Sequence, residues 1–377
     1  MLDLMARWEL YVGIRRSMLE VGVTAMRALY HFRKVGNPLS ILVLRNNDMG
    51  DLVVTTPLFQ ALRIAFPDAY IAAGVGSWSK DLIKGNPYIS EVIECNAPWH
   101  NHRTGPISLT NALKYIFHSA EVSLLNTRRF DVGIDVLGST FGSMLFIQLH
   151  IPIRLGRKGY AGGHTGATAY IDFSKEVSVA NNALEFARLL KKDTNISVES
   201  KPQLYVDALE TQQAKEMWKA IQGAHGNRQR KIVVAPGAGL STKQWPVERF
   251  AELVGSLSMD SCGCVIGTQE ESPLGEQIAR GLDRWDNACG KLSLRQSMAL
   301  ISQADLVICN GSLAMHLAAA FSIKCIVILS RDHDPKSHAA LWEVEGVHYQ
   351  LYPEREKQHV EVSEVERQAR SLMKSMI

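Results

Sequence analysis

The chain lacks the short signatures that would declare a function at once. No apolar run is followed by G-x-G-x-x-G, so a dinucleotide fingerprint is missing. Walker, G-x-S-x-G and H-E-x-x-H patterns are also absent. Excess charge of one sign is scarce: 41 basic residues against 38 acidic leave +3, too little to imply a nucleic-acid partner. No apolar run approaches the ~20 residues of a membrane span. The cysteines number six, Cys95, Cys262, Cys264, Cys289, Cys309 and Cys325, mostly in or beside apolar runs. Cys262-Gly-Cys264 lacks the two-residue spacing of a zinc or redox pair, and no second pair complements it. They read as reduced thiols of a cytosolic protein, most of them packed in its interior.

What is there is a long, ordinary globular composition. With 377 residues, 46% hydrophobic and 21% charged, wholesale disorder is excluded and two domains are expected. After residue 39, apolar β-type runs alternate with helical stretches, the pattern of parallel sheets covered on both faces. Strands are expected at Ile41–Leu44, Tyr70–Val75, Val92–Cys95, Val132–Val136 and Ile153–Gly156, then at Ile232–Ala235, Cys264–Ile266, Leu306–Cys309 and Cys325–Leu329. Helices are expected at Pro57–Ala65, Leu109–Leu125, Gly142–His150, Asn182–Lys192, Leu209–Gln222, Pro246–Ser258, Pro273–Leu282, Leu294–Ser302 and Ala314–Phe321. The Gly-rich stretch Gly156–Thr168 reads as a mobile loop near a ligand. The expected division is an N-terminal extension over 1–38, a first Rossmann-like domain over 39–201 and a second over 202–355. A helix within 356–377 closes the chain, and Asp193–Lys201 is the linker. The extension places Leu10, Ile14, Met18, Val21, Ala25 and Leu29 along one side of a helix, among Arg7, Arg15, Arg16, Arg27, Arg33 and Lys34. It fits a basic helix lying on an anionic membrane, or equally a helix docked on its own domain.

Three strand-to-helix junctions carry polar chemistry. The first runs Arg45, Asn46, Asn47, Asp48, Gly50, Asp51, then Thr55 and Thr56. On these residues alone Asp51 is as good a helix cap as a general base. The second is Pro236-Gly237-Ala238-Gly239-Leu240-Ser241-Thr242-Lys243-Gln244-Trp245-Pro246. Its small residues expose backbone N–H groups, its hydroxyls and Lys243 add donors and charge, and together they suit a phosphate. The third, Cys309-Asn310-Gly311-Ser312-Leu313-Ala314-Met315-His316, enters an Ala-rich helix whose N-terminus favours an anion, with Asn310 or Ser312 as its cap. Glu270 and Glu271 follow a strand and could accept hydrogen bonds from ribose hydroxyls. Asp332-His333-Asp334 could hold a divalent metal but reads better as a solvated loop.

Taken together the junctions resemble glycosyltransferase family 9, the ADP-heptose:lipopolysaccharide heptosyltransferases. Arg45, Gly50-Asp51, Thr55-Thr56-Pro57 and Phe66-Pro67-Asp68 resemble the opening motif. The second is carried by Pro236-Gly237 and Lys243-Gln244-Trp245-Pro246-Val247-Glu248-Arg249-Phe250. The third is carried by Leu292-Ser293-Leu294, Ala304-Asp305-Leu306-Val307 and Met315-His316-Leu317-Ala318-Ala319-Ala320. The resemblance spans about residues 39 to 330. It implies a GT-B fold, two Rossmann-like doubly wound domains facing across a cleft, acceptor on the first and nucleotide sugar on the second. It implies an inverting transfer of heptose from ADP-heptose to a lipopolysaccharide core or related glycolipid, needing no metal or cofactor. The implied setting is cytoplasmic, with peripheral contact at the inner membrane. Asp51 matches the catalytic base, with Arg45, Asn47 and Thr55 on the acceptor side. Ala238, Gly239, Ser241, Thr242, Lys243, Glu270, Gly311, Ser312 and His316 fall on the donor side. One departure stands out: the family commonly carries an acidic residue where this chain has Gly311, and a glycine where it has Leu313. A different nucleotide sugar, a repositioned ligand, weakened activity or an inactive scaffold would each be consistent with that loss.

Overall fold

A computed structural model describes residues 18–36, 38–101, 103–104, 108–192, 196–223, 230–354 and 357–375. The chain divides into two units, Met1–Ser200 and Lys201–Ile377. The first begins, among the described residues, with a helix over 18–29, here α1. There follow β1 (Ser40–Leu44), α2 (Met49–Ala65), β2 (Tyr70–Val75), β3 (Glu91–Glu94), α3 (Leu109–His118) and α4 (Ala120–Thr127). The unit continues through β4 (Val132–Asp135), α5 (Thr140–Gln148), β5 (Ile153–Lys158), β6 (Ala169–Asp172) and α6 (Val179–Lys191). Its strands pair in parallel in the order β3-β2-β1-β4-β5-β6. The connections run outward from β1 in one direction and then reverse to β4. This reversal opens a crevice at the carboxyl ends of β1 and β4, where open α/β sheets take ligands.

The second unit runs α7 (Ala208–Gln222), β7 (Arg230–Ala235), α8 (Val247–Leu257), β8 (Ser261–Val265), α9 (Ser272–Ala279) and β9 (Trp285–Asn287). It continues with α10 (Leu294–Ser302), β10 (Leu306–Asn310), α11 (Leu313–Ala320), β11 (Lys324–Ile328), α12 (Pro335–Trp342), β12 (His348–Leu351) and α13 (Val362–Lys374). The order β12-β11-β10-β7-β8-β9 repeats the first sheet's topology, with its reversal between β7 and β10. Each unit is built on its own core: Leu42, Leu44, Ile116 and Phe146 in the first, Ile232, Phe250, Ile308 and Val365 in the second. The central strands are apolar runs buried on both faces, as parallel strands under two helical layers must be.

Several expected boundaries move for local reasons. α2 starts at Met49, well before the expected Pro57, which lies inside the helix. Proline has no N–H for the Val53 carbonyl, and the Thr56 hydroxyl donates to that oxygen instead at 2.7 Å. The helix expected over Leu109–Leu125 is two, because Ser119 ends α3 and its hydroxyl caps α4 by accepting from Val122 N at 3.1 Å. Strands β6, β9 and β12 and helix α12 were not expected. The three strands are short sheet edges with polar, partly exposed positions, so no apolar run announces them. The stretch expected to be mobile begins inside β5, and its loop is fastened down. Gly163 N donates to Gly138 O at 2.8 Å and Thr140 N to Ala161 O at 3.0 Å. α13 packs on α8 and β11, within the second unit.

One face of α1 docks on its own unit. Leu19, Val23 and Met26 pack into the first unit's core. Met18, Val21, Ala25 and Leu29, the side seen in the sequence, are exposed. Leu10, Ile14, Arg7, Arg15 and Arg16, like residues 193–195 of the expected linker, lie outside the described residues.

Candidate active site

In the first unit the chain leaves β1 through Arg45, Asn46 and Asn47 and enters α2 at once. The helix cap is Asp48, which makes no side-chain cap hydrogen bond, so Asp51 stands in the first turn and is not the cap. Its carboxylate meets the Arg45 guanidinium at 3.0 Å, with the side chains 3% and 18% exposed respectively. The Asn47 amide donates to the other carboxylate oxygen. Thr55 is buried and its hydroxyl donates to the Asp51 backbone oxygen at 2.7 Å, so its role in this state is within the helix. Asn47 is itself fixed by the Trp78 indole N–H, which donates to its backbone oxygen at 3.1 Å.

Burial pushes the Asp51 carboxyl above its ordinary value of 3.8, and the nearby Asp48 adds to this; Arg45, Asn47 and Arg157 pull the other way without cancelling it. The outcome suits a general base, which must be ionised yet retain proton affinity. Two further charged residues belong to this crevice and went unread in the sequence. Asp135 ends β4, buried, its carboxylate accepting from Ser139 N at 2.7 Å. Arg157 lies near the end of β5, 4% exposed, with Nε and Nη2 buried and without hydrogen-bond partners. Burial, with the Arg45 charge adding, brings Arg157 down to about 10. The signal that could have found both is a charged residue closing an apolar strand beside the reversal point.

The second unit furnishes its reversal point differently. Pro236 to Gln244 leaves β7 as a loop in which Ser241 and Thr242 are exposed, Gly239 faces open space and Lys243 is half-buried. This loop is latched to the third junction by Asn310, fully buried at the end of β10. Its amide donates to Pro236 O at 2.6 Å and its oxygen accepts from Trp245 N at 3.0 Å. Asn310 is therefore the clamp, and the α11 cap is Ser312, whose side chain makes no cap hydrogen bond. His316, one turn on, stacks edge to face with Trp342 at 5.4 Å, and its Nδ1 is buried without a partner. Burial, then His348 and His338, brings it down to about 3, so it is neutral.

The two glutamates separate. Glu270 is exposed. Glu271 turns inward: it accepts from Thr268 N at 2.6 Å, and a Cβ on Gly237 would fall 1.5 Å from its Oε1. Gly237 is thus required for close approach of the loop to that carboxylate. Asp334 caps α12, accepting from Ser337 N at 2.9 Å. Among the described residues, no three His, Cys, Asp or Glu side chains converge as a metal set, and all six cysteines are buried free thiols.

Residues 122–366 match the family model described as glycosyltransferase family 9 (heptosyltransferase). The chain belongs to this family. Its relatives include lipopolysaccharide heptosyltransferase 2 of Salmonella typhimurium, 25% identical over 308 residues, 75% of this chain and 80% of the relative. Lipooligosaccharide heptosyltransferase 2 of Haemophilus influenzae is 24% identical over 313 residues, 77% of this chain and 83% of the relative. A family 9 structure from Veillonella parvula superposes with TM-score 0.72 at 18% identity, covering 89% of this chain and 97% of its own. The E. coli ADP-heptose lipopolysaccharide heptosyltransferase II gives 0.69 at 18% identity, covering 89% and 99%. The fold is therefore the GT-B fold of this family, and the chain is a glycosyltransferase. No helix among the described residues is long and apolar enough to cross a membrane.

Proposed function

We propose that the enzyme transfers heptose from ADP-heptose to a lipopolysaccharide core or related glycolipid acceptor, by inversion and without a metal, with Asp51 as general base. The observation that carries this reading is the Asp51 carboxylate: at the carboxyl end of β1, free of capping duty, held by Arg45 and Asn47, and raised in proton affinity by burial. The names of the relatives, lipopolysaccharide heptosyltransferase 2 among them, support the substrate class. Residues 39–201 serve as the acceptor domain and 202–355 as the nucleotide-sugar domain.

In the reaction the acceptor oxygen gives its proton to Asp51 and bonds to the anomeric carbon, while the bond from that carbon to the phosphate oxygen breaks. Lys243, Ser312 and the N–H groups opening α11 take the charge that develops on the leaving diphosphate. Arg45 and Asn47 orient the base, which is why they lie on the acceptor side. The protein works on the cytoplasmic face of the inner membrane, where the exposed Met18, Val21 and Leu29 of α1 enter the lipid interface.

Asp51→Asn keeps the shape and removes the base. Transfer should fall by about 10²–10⁴-fold, while ADP affinity, measured by calorimetry, stays within about twofold, because no donor-binding group changes. Near-normal turnover in that variant would sink the base assignment.

A further inference from the structure

The face of Gly311 is ringed by imidazoles. A Cβ built there would lie 3.5 Å from His333 Nε2 and 3.7 Å from His338 Nε2, with Leu329 Cδ2 at 2.9 Å. The two rings stand perpendicular, centroids 5.1 Å apart. Each is held through its other nitrogen: His333 Nδ1 lies 3.2 Å from the Ser330 hydroxyl and His338 Nδ1 3.0 Å from Gln350 Oε1. Gln350 Oε1 also accepts from the Tyr352 hydroxyl at 2.5 Å. Gln350 holds the His338 ring through Nδ1, which leaves Nε2 turned toward Gly311 and open to a hydrogen bond.

Both rings are neutral in this setting. Burial, with the Lys243 charge adding, lowers His333 from its ordinary value; burial and the neighbouring His333, His348 and Lys243 bring His338 to about 4. The chain thus places two uncharged imidazoles beside an ammonium group and against a bare glycine. Uncharged rings offer a phosphate no charge of their own. A cation would meet the Lys243 charge, and the Asp334 carboxylate nearby in sequence is already capping α12. A group rich in hydroxyls, which both donate and accept, is what remains complementary.

We propose that His333 and His338 are a specificity-determining pair that forms hydrogen bonds with hydroxyls of the sugar carried by the nucleotide-sugar donor. The inference rests on the donor site described above, with the diphosphate at Lys243 and the start of α11. The sugar is attached directly to that diphosphate, so its hydroxyls fall within reach of groups clustered at Gly311. The pair supplies hydrogen-bonding capacity at the position where this chain has no side chain of its own.

The test separates sugar recognition from nucleotide recognition. His333→Ala and His338→Ala should each lower kcat/KM for ADP-heptose by about 3- to 10-fold, the effect of one lost hydrogen bond. ADP affinity by calorimetry should stay within about twofold. His338→Asn, which retains a donor and an acceptor, should recover part of the loss. With ADP-sugars deoxygenated one position at a time, the analogue lacking the hydroxyl read by His338 should suffer no further loss in His338→Ala. Gly311→Ala inserts a methyl in front of intact rings and should give the same pattern, which serves where an imidazole variant fails to fold. Equal loss of ADP and ADP-heptose, or no loss of either, overturns the pair. Lys243→Ala tells the two readings apart. If it leaves ADP affinity unchanged, the donor site falls and the pair with it. If it weakens ADP at least about tenfold while the histidine variants handle every sugar like the parent, the pair alone is refuted.

Discussion

Replacing Arg45 by Gln should move the acid limb of the pH–rate profile upward. The guanidinium lies 3.0 Å from the Asp51 carboxylate, and the two side chains are 3% and 18% exposed. Unit charges about 4 Å apart at an effective dielectric of about 20 attract by about 4 kcal/mol. Solvent reaches part of Asp51, and Asn47 and Arg157 remain to favour its ionised form. Halving the figure gives about 2 kcal/mol, or about 1.5 pH units at 1.36 kcal/mol per unit.

The sign follows from which form Arg45 favours. It favours the carboxylate and so holds the Asp51 value down against burial, which raises it. Without Arg45 the carboxyl keeps its proton to higher pH, and the base is lost over a window that reaches further upward. At pH well above that window the variant should approach the activity of the parent, apart from any loss of orientation. The assay is kcat/KM for transfer across pH, because that parameter reports the free enzyme. Arg45→Lys, which keeps the charge but not the fork, should restore most of the limb's position. An acid limb unmoved in Arg45→Gln, in a protein that unfolds at the normal temperature, would refute the idea that Asp51 is the titrating base.

Two further outcomes follow from the same structure. Asn310→Ala strands the Pro236 carbonyl and the Trp245 N–H, both served by one buried side chain; stability should fall by about 2–4 kcal/mol in denaturant unfolding, and calorimetry should show ADP affinity falling too, as the Lys243 loop loses its clamp. An unchanged ADP affinity would detach that loop from the donor site. The triple change Met18→Ser, Val21→Ser and Leu29→Ser should cut co-sedimentation with anionic lipid vesicles by about tenfold or more, leaving transfer to a water-soluble truncated acceptor as it was; undiminished co-sedimentation would remove α1 from the membrane contact.

The fold was legible wherever burial is two-sided. β2 was read at its observed bounds and α10 likewise, because each presents an uninterrupted pattern of its own period. The edges were not, since a strand such as β9, Trp-Asp-Asn, has one neighbour and too few residues for any period to show. The junctions could be located, but the duties within them could not. Whether Asp51 caps the helix or stands free of that duty is not written in its letters; the helix start at Met49 puts Asp48 at the cap. Glu270 and Glu271 differ only in which way a short 3-10 turn points them, and it is Glu271 that reaches Gly237. Arg157 and His338 are brought to their sites by strand order and by α12, neither of which a local pattern contains.

The repeated topology sharpens what divides the two units. Both sheets reverse at the same place in their strand order, so both offer the same backbone crevice at the carboxyl ends of two central strands. The side chains set there are opposite in kind. β1, β4 and β5 deliver Asp51, Asp135, Arg45 and Arg157, buried ionisable groups whose mutual fields tune a carboxylate. The loops after β7, β10 and β11, with α11 and α12, deliver Lys243, a helix start and histidines held neutral. A crevice tuned around a carboxylate suits removal of a proton, and one with a lysine, a helix start and neutral imidazoles suits a sugar diphosphate. Exchanging the furnishings would defeat the first: a lysine in place of Asp51 would face Arg45 with no base left to accept the proton.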